Sequence, residues 1–178
     1  MNERGGRLMG RVNQKRVAGD IGEREVVLFL IGMRVNQLWR VDRWFPVATA
    51  MPRMIVELMK DPSRGLLSRP RTFVSGRTVC VIQYWNSFED LERYARASDA
   101  AHLPAWRSFN RRVKDNGTVG IWHETYRVTP GSVESVYVNM PDFGLAQAVA
   151  GVPAAQRGQS AAMRLGLRDD DTPPVAPY

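Results

Sequence analysis

The longest apolar run in the chain, Val26 to Met33, carries no charge and is rich in branched and aromatic side chains. A membrane-spanning helix needs about 20 consecutive apolar residues, far more than this run supplies. Its composition and length suit a strand buried on both faces. The run therefore predicts the first core strand of a sheet, and the residues after it must supply the strands and helices that cover it.

Downstream, Trp44, Val47, Met51, Met54, Ile55 and Leu58 recur mostly at three- and four-residue steps, the period of an amphipathic helix facing a sheet. Pro46 fits its first turn, Pro52 restarts or kinks it, and Asp61-Pro62 stops it. LLSRPRTFV and TVCVIQYW read as strands joined around Ser75-Gly76-Arg77. Ser87 with Asp90 three residues on has capping-box spacing and starts a helix with Phe88, Leu91, Tyr94 and Ala95 on one side. A further helical piece is expected from Leu103-Pro104 through Trp106, Phe109 and Val113 to the stop at Asn116-Gly117. VGIWHETYRV and SVESVYVNM alternate as two more strands around Pro130-Gly131. The order β-α-β-β-α-β-β predicts an α+β fold, a ferredoxin-like antiparallel sheet with helices on one face. Its other face stays apolar and uncovered, a liability that pairing two copies into a homodimer removes.

The chain has 178 residues, enough for one such domain with extensions. The expected division is a flexible basic segment 1–22, the working domain 23–146, and an Ala/Gly/Pro-rich tail 147–178. The formal net charge of +7 comes mostly from arginine, grouped at Arg4, Arg7, Arg11, Lys15 and Arg16 and again at Arg107, Arg111, Arg112 and Lys114. With no nucleic-acid-binding motif beside them, these groups read as solvated faces, and nucleic acid is the disfavoured partner. Cys80 is the single cysteine, so disulfide frameworks and thiolate metal sites are excluded and a reducing compartment is expected. The N-terminus lacks a signal-peptide apolar region, and the expectation is a soluble, cytoplasmic protein with no membrane partner.

No HExxH, GxSxG, glycine-rich phosphate loop or acidic/His cluster at metal spacing is present, so no metal site is expected. Two histidines remain. Alternation through GIWHETY puts Val119, Ile121, His123 and Thr125 on one sheet face and Trp122, Glu124 and Tyr126 on the other. His123 is then a hydrogen-bonded core histidine, or a general base or ligand in an apolar cavity between sheet and helices. His102, near a helix start, is a surface residue or an axial haem ligand. Arg34 and Asn36 at the end of the first strand are either its exit to solvent or the polar wall of a pocket mouth. Tyr84, Trp85, Trp106, Trp122 and Tyr126 are scattered over different elements, which favours core and pocket lining over a base-stacking platform.

The runs IGMRVNQLWRV, AMPRMIVELMKDP, GLL, IQYWNSFEDLERYAR, HLPAWRSFNRRV, GIWHETYRV and YVNMPDFGLA together resemble the monooxygenase-like group found beside fungal and bacterial secondary-metabolism enzymes. That group is a branch of the antibiotic-biosynthesis-monooxygenase superfamily of dimeric α/β barrels, and the resemblance spans about Val26 to Ala146. It implies a homodimeric oxidoreductase that joins dioxygen to a hydrophobic aromatic or polyketide-like metabolite, often without metal or flavin. His123 is then the candidate base, and Arg34, Asn36 or Trp122 the donors that stabilise an enolate-like charge. The haem-degrading branch of the superfamily is similar in a different trio, here Trp85, Tyr94 and His102. That likeness implies haem as the alternative to no cofactor, with His102 or His123 as axial ligand. This chain departs from that branch: Tyr94 stands where the branch has a tryptophan, the spacing to the histidine differs, and Leu103-Pro104 directly follows it.

Overall fold

Along the chain the elements are β1 (Val17–Asp20), β2 (Val26–Val35), α1 (Val41–Lys60), β3 (Arg71–Ser75), β4 (Thr78–Trp85), α2 (Phe88–Arg96), β5 (Val119–Val128), α3 (Gly144–Ala148), β6 (Ala150–Pro153) and α4 (Ala161–Arg164). They come from a computed structural model that describes residues 12–97, 107, 109, 111 and 116–169. Two units result, one formed by Glu25–Arg127 and the other by the residues that precede and follow it in sequence.

The central unit is a four-stranded sheet in the order β3-β4-β2-β5. β2 pairs antiparallel with β4 in a register that sets Val27 opposite Trp85 and Ile31 opposite Val81. This is the order that β-α-β-β-α-β chains reach with right-handed crossovers, and the ferredoxin-like expectation holds. Odd-numbered residues of β2 turn toward the helices. Val27 clusters with Leu58, Trp85, Leu91 and Tyr94, while Met33 and Val35 cluster with Val119 and pack against Trp44 and Val47. Trp85, Val26, Val27 and Val81 are fully buried, and each such side chain contributes about 1.5–3 kcal/mol on leaving water.

Local signals explain most element ends. Ser87 accepts a hydrogen bond from the Asp90 amide at 3.1 Å, the cap that its spacing predicts. Gly76 sits at φ +55° in the two-residue turn between β3 and β4, where a side chain would be strained. α1 departs from expectation: it begins at Val41, so Pro46 lies inside it together with Pro52 rather than in its first turn. The Thr49 hydroxyl, between the two prolines, donates back to the carbonyl oxygens of Phe45 and Pro46, the back-bonding common for threonine inside a helix. The helical piece before Asn116 is described only at Arg107, Phe109 and Arg111, which are helical.

The predicted final strand, SVESVYVNM, does not form. Its residues make isolated bridges, Tyr137 with Val17 and Met140 with Asn13. The Ser135 hydroxyl accepts from the Gly19 amide, and Asn139 takes a left-handed φ of 52°, so polar side chains replace the ladder that alternation suggested. In this second unit β1 pairs antiparallel with β6, from Val17 opposite Pro153 to Asp20 opposite Ala150. Arg164 is buried and bonds Glu134 and the Gly158 carbonyl. The described parts of the segments read as separate extensions therefore fold against each other, because β1 finds its ladder partner more than a hundred residues downstream, beyond the reach of local patterning.

Gly32 is closely enclosed by its neighbours in the sheet. A Cβ there would lie 2.4 Å from the Val79 carbonyl oxygen and 2.6 Å from Trp122 Nε1. Gly32→Ala is expected to cost at least the ~1–3 kcal/mol typical of overpacking, read as a lowered urea midpoint at unchanged slope.

Candidate functional site

Between the helix-facing side of the sheet and the helices lies a cavity of about 970 Å³. Its floor is Phe29, Ile31 and Met33 of β2, Val79 and Val81 of β4, and Ile121, His123 and Thr125 of β5. α1 contributes Phe45, Met51, Met54 and Ile55, and α2 contributes Phe88 and Leu91. Polar groups are sparse: His123, Thr49, Thr72, Thr125, Arg53 and Glu92. A concave, mostly apolar space with a few convergent polar groups is the usual character of a small-molecule site. An adjoining chamber of about 40 Å³ shares Phe29, Met51, Met54 and Leu91 with it and adds Gln83, Trp85 and Tyr94.

His123 reaches the cavity because the alternation of β5 turns it inward with Ile121 and Thr125. Its ring lies 5.8 Å from that of Phe29, tilted by 42°. Among the described residues no hydrogen bond holds the imidazole.

The remaining candidates divide into three groups. Trp85 and Tyr94 are core residues that line the inner chamber, their rings 5.7 Å apart. Arg34, Asn36, Tyr84, Trp122 and Tyr126 do not line the cavity. Arg34 donates to Asn36 Oδ1, Asn36 donates to the Gly117 carbonyl, and the Tyr126 hydroxyl donates to Glu124. Trp122 packs over Gly32. Strand alternation explains the split: a residue one step from His123 or Met33 must point to the other face. His102 and Trp106 lie outside the described residues. Gln83 was missed, although its position in TVCVIQYW, two residues from both Val81 and Trp85, puts a lone polar side chain on the inward face.

Burial pushes the Tyr94 hydroxyl up to about 12, with the Glu57 carboxylate adding to the effect and the Arg64 guanidinium opposing it. Arg64 lies 5.7 Å from the centre of the Tyr94 ring. Tyr94 is therefore a neutral phenol throughout the physiological range. Cys80 is also pushed up, first by burial and then by Glu124, which keeps it a thiol and a poor nucleophile.

Among the described residues no group of three His, Cys, Asp or Glu side chains could hold a metal ion. A haem-ligating imidazole normally has its second nitrogen fixed by a hydrogen bond. His123 lacks one among the described residues, and Arg53 is the single cavity-lining cation there to meet two propionates. The described residues do not fit haem. No described helix is long and apolar enough to cross a membrane.

An antiparallel four-stranded sheet with helices closing an apolar cavity on one face defines the ferredoxin-like α+β class. Within it, the model of the monooxygenase af470-like family matches residues 26–145, and the chain belongs to that family. It is 28% identical over 127 residues to monooxygenase af470 of Aspergillus fumigatus (strain ATCC MYA-4609 / CBS 101355 / FGSC A1100 / Af293), a match covering 66% of this chain and 44% of the relative. The chain thus spans less than half the length of that relative. Among solved structures it is similar to an aldoxime dehydratase, with a TM-score of 0.64 at 18% identity over 78% of this chain and 42% of the other. A looser likeness, TM-score 0.41 at 12% identity over 57% of this chain and 91% of the other, is to SnoaB, a cofactor-independent oxygenase from Streptomyces nogalater.

The Tyr94 hydroxyl also gives a pH signature. Its folded-state value stands above the unfolded one, so the associated stability is intact below pH 10 and is lost as pH rises toward about 12. Between those limits wild type is expected to lose about 2–3 kcal/mol more than Tyr94→Phe, measured by urea unfolding of both proteins at pH 9 and pH 12.

Proposed function

We propose that the chain is a monooxygenase-type oxidoreductase acting on a small hydrophobic, aromatic or polyketide-like metabolite in the cavity between sheet and helices. The observation that carries this reading is His123, set in the floor of an otherwise mostly apolar cavity of about 970 Å³. Membership of a family named for a monooxygenase supports it, and SnoaB is described as a cofactor-independent oxygenase.

The chemistry such a cavity suits is oxidation in which the substrate itself supplies the electrons. His123 takes a proton from an acidic C–H or phenolic O–H, since imidazole exchanges protons near neutral pH. The carbanion or enolate passes electrons to dioxygen and forms a C–O bond. Loss of water from the peroxide leaves a carbonyl, so one oxygen atom enters the product, the other leaves as water, and no external reductant is consumed. Phe29, Ile31, Met51 and Met54 give the hydrocarbon part of the substrate an apolar wall to pack against.

Oxygen-electrode assays with hydrophobic phenols and quinols test this reading. His123→Ala is expected to lower kcat by about 10²–10⁴-fold with KM little changed, and the purified protein to show no Soret band. A Soret band that vanishes in His102→Ala or His123→Ala would replace this mechanism with a haem-dependent one. Absence of oxygen uptake, with ligands still raising the melting temperature, would make the chain a binding module instead.

The same reading has the second sheet face, with Leu28, Leu30, Ile82 and Trp122, packing against another copy of the chain. Those residues alternate with the cavity-lining ones, and such a row of apolar side chains is disfavoured in water. Sedimentation equilibrium is expected to give twice the chain mass for wild type and the single chain mass for Leu30→Glu. A monomeric wild type would refute the pairing.

A further inference from the structure

The inner chamber holds a polar group that the proton-transfer chemistry leaves unused. Gln83 is 5% exposed, and its Oε1 accepts a hydrogen bond from Trp85 Nε1 at 2.9 Å. An indole nitrogen only donates, so this bond fixes which end of the amide is oxygen. Two N–H donors on Nε2 remain, and among the described residues no protein group accepts from them. Gln83 Nε2 is not among the buried side-chain atoms cut off from any partner, so its two donors are open to whatever fills the chamber, water or a ligand oxygen. At about 40 Å³ the chamber has room for one oxygen atom, free or at the end of a larger molecule. The rest of its wall is apolar apart from Tyr94, with Phe29, Ile31, Met51, Met54 and Leu91 leading into the large cavity.

We infer that Gln83 is a specificity-determining residue: its amide N–H groups receive a carbonyl, phenol or enolate oxygen of the ligand in this chamber. The hydrocarbon body then occupies the large cavity, and the oxygen-bearing end is the end that enters first. The inference rests on the cavity being the ligand site proposed above. It adds that the preferred ligands carry an oxygen at one edge, and that negative charge developing on it meets fixed donors in a water-poor setting, where such donors act most strongly. A site built to hydrogen-bond a ligand oxygen also discriminates against the analogue that lacks it, because the donors are then left unpaired.

Equilibrium dialysis of the full chain with 2-naphthol and with naphthalene tests this. Gln83→Met keeps the length of the side chain and removes the donors. It is expected to weaken 2-naphthol binding at least tenfold and to leave naphthalene binding within about twofold. The absorbance-detected pKa of bound 2-naphthol is expected to be lower in wild type than in the variant, a readout that packing alone would not move. Because Gln83→Met also strands the Trp85 N–H, the double variant Gln83→Met/Trp85→Phe, which removes both partners, serves if the single variant fails to fold. Equal 2-naphthol affinity in wild type and variant would overturn the inference and assign the donors to an ordered water. Equal weakening of both probes would overturn it too, assigning Gln83 to packing. Binding of naphthalene without any Gln83-dependent preference for 2-naphthol leaves the cavity as a ligand site and removes this inference alone. Binding of neither probe to wild type removes both.

Discussion

The antiparallel pairing of β2 with β4 is the constraint on which the rest of the central unit depends. β2 is hydrogen-bonded to β4 on one side and neighbours β5 on the other, so it has no free edge and its register fixes both faces at once. A slip of one residue would move Val27, Phe29, Ile31 and Met33 to the opposite face and bring Leu28, Leu30 and Arg34 under the helices. Core and cavity come from the same row of side chains. At one end Val27 and Trp85 close against Leu58, Leu91 and Tyr94 into packed core. Farther along, Phe29, Ile31 and Met33 line the cavity together with residues of helix α1.

The fold was legible where the signals are local or periodic. The apolar run of β2, the helical spacing from Trp44 to Leu58 and the Ser87 cap each act within a few residues, and all three are realised. What was not legible depended on distance along the chain or on face. The pairing of β1 with β6 joins residues such as Val17 and Pro153, and no window of sequence contains both. SVESVYVNM has strand alternation, but Ser135 and Asn139 use their side chains and backbone in ways that alternation does not register. The candidate site was legible in part. Period-two reasoning placed His123 with Ile121 and Thr125, as in the structure. The same reasoning, applied to Arg34, Asn36, Trp122 and Tyr126, puts them off the His123 face, so grouping the first three with it as donors and Tyr126 with it as pocket lining ran against the pleat.

The polar groups around the cavity divide the work by burial. His123 is exposed at the cavity floor, where the proposed chemistry uses it as the base. Tyr94 is held neutral by its surroundings, and Gln83 cannot ionise at all, so the inner chamber presents donors without charge. On the proposed reading, that arrangement lets the cavity accept an oxygen-bearing ligand without carrying a buried charge of its own, whose desolvation would be costly. Arg34, Asn36 and Tyr126 are linked into polar contacts of their own away from the cavity.

Methionine methyl NMR tests most directly whether this cavity is where ligand binds. Of the eight methionines in the chain, Met33, Met51 and Met54 line the cavity. Met59 is 46% exposed on α1 and does not line it, and Met140 and Met163 belong to the other unit. On titration of the ¹³C-methyl-labelled chain with a hydrophobic phenol, saturable shifts are predicted at Met33, Met51 and Met54, with Met59, Met140 and Met163 unmoved. Shifts at Met59, Met140 or Met163 with the three cavity methyls unchanged would contradict the account.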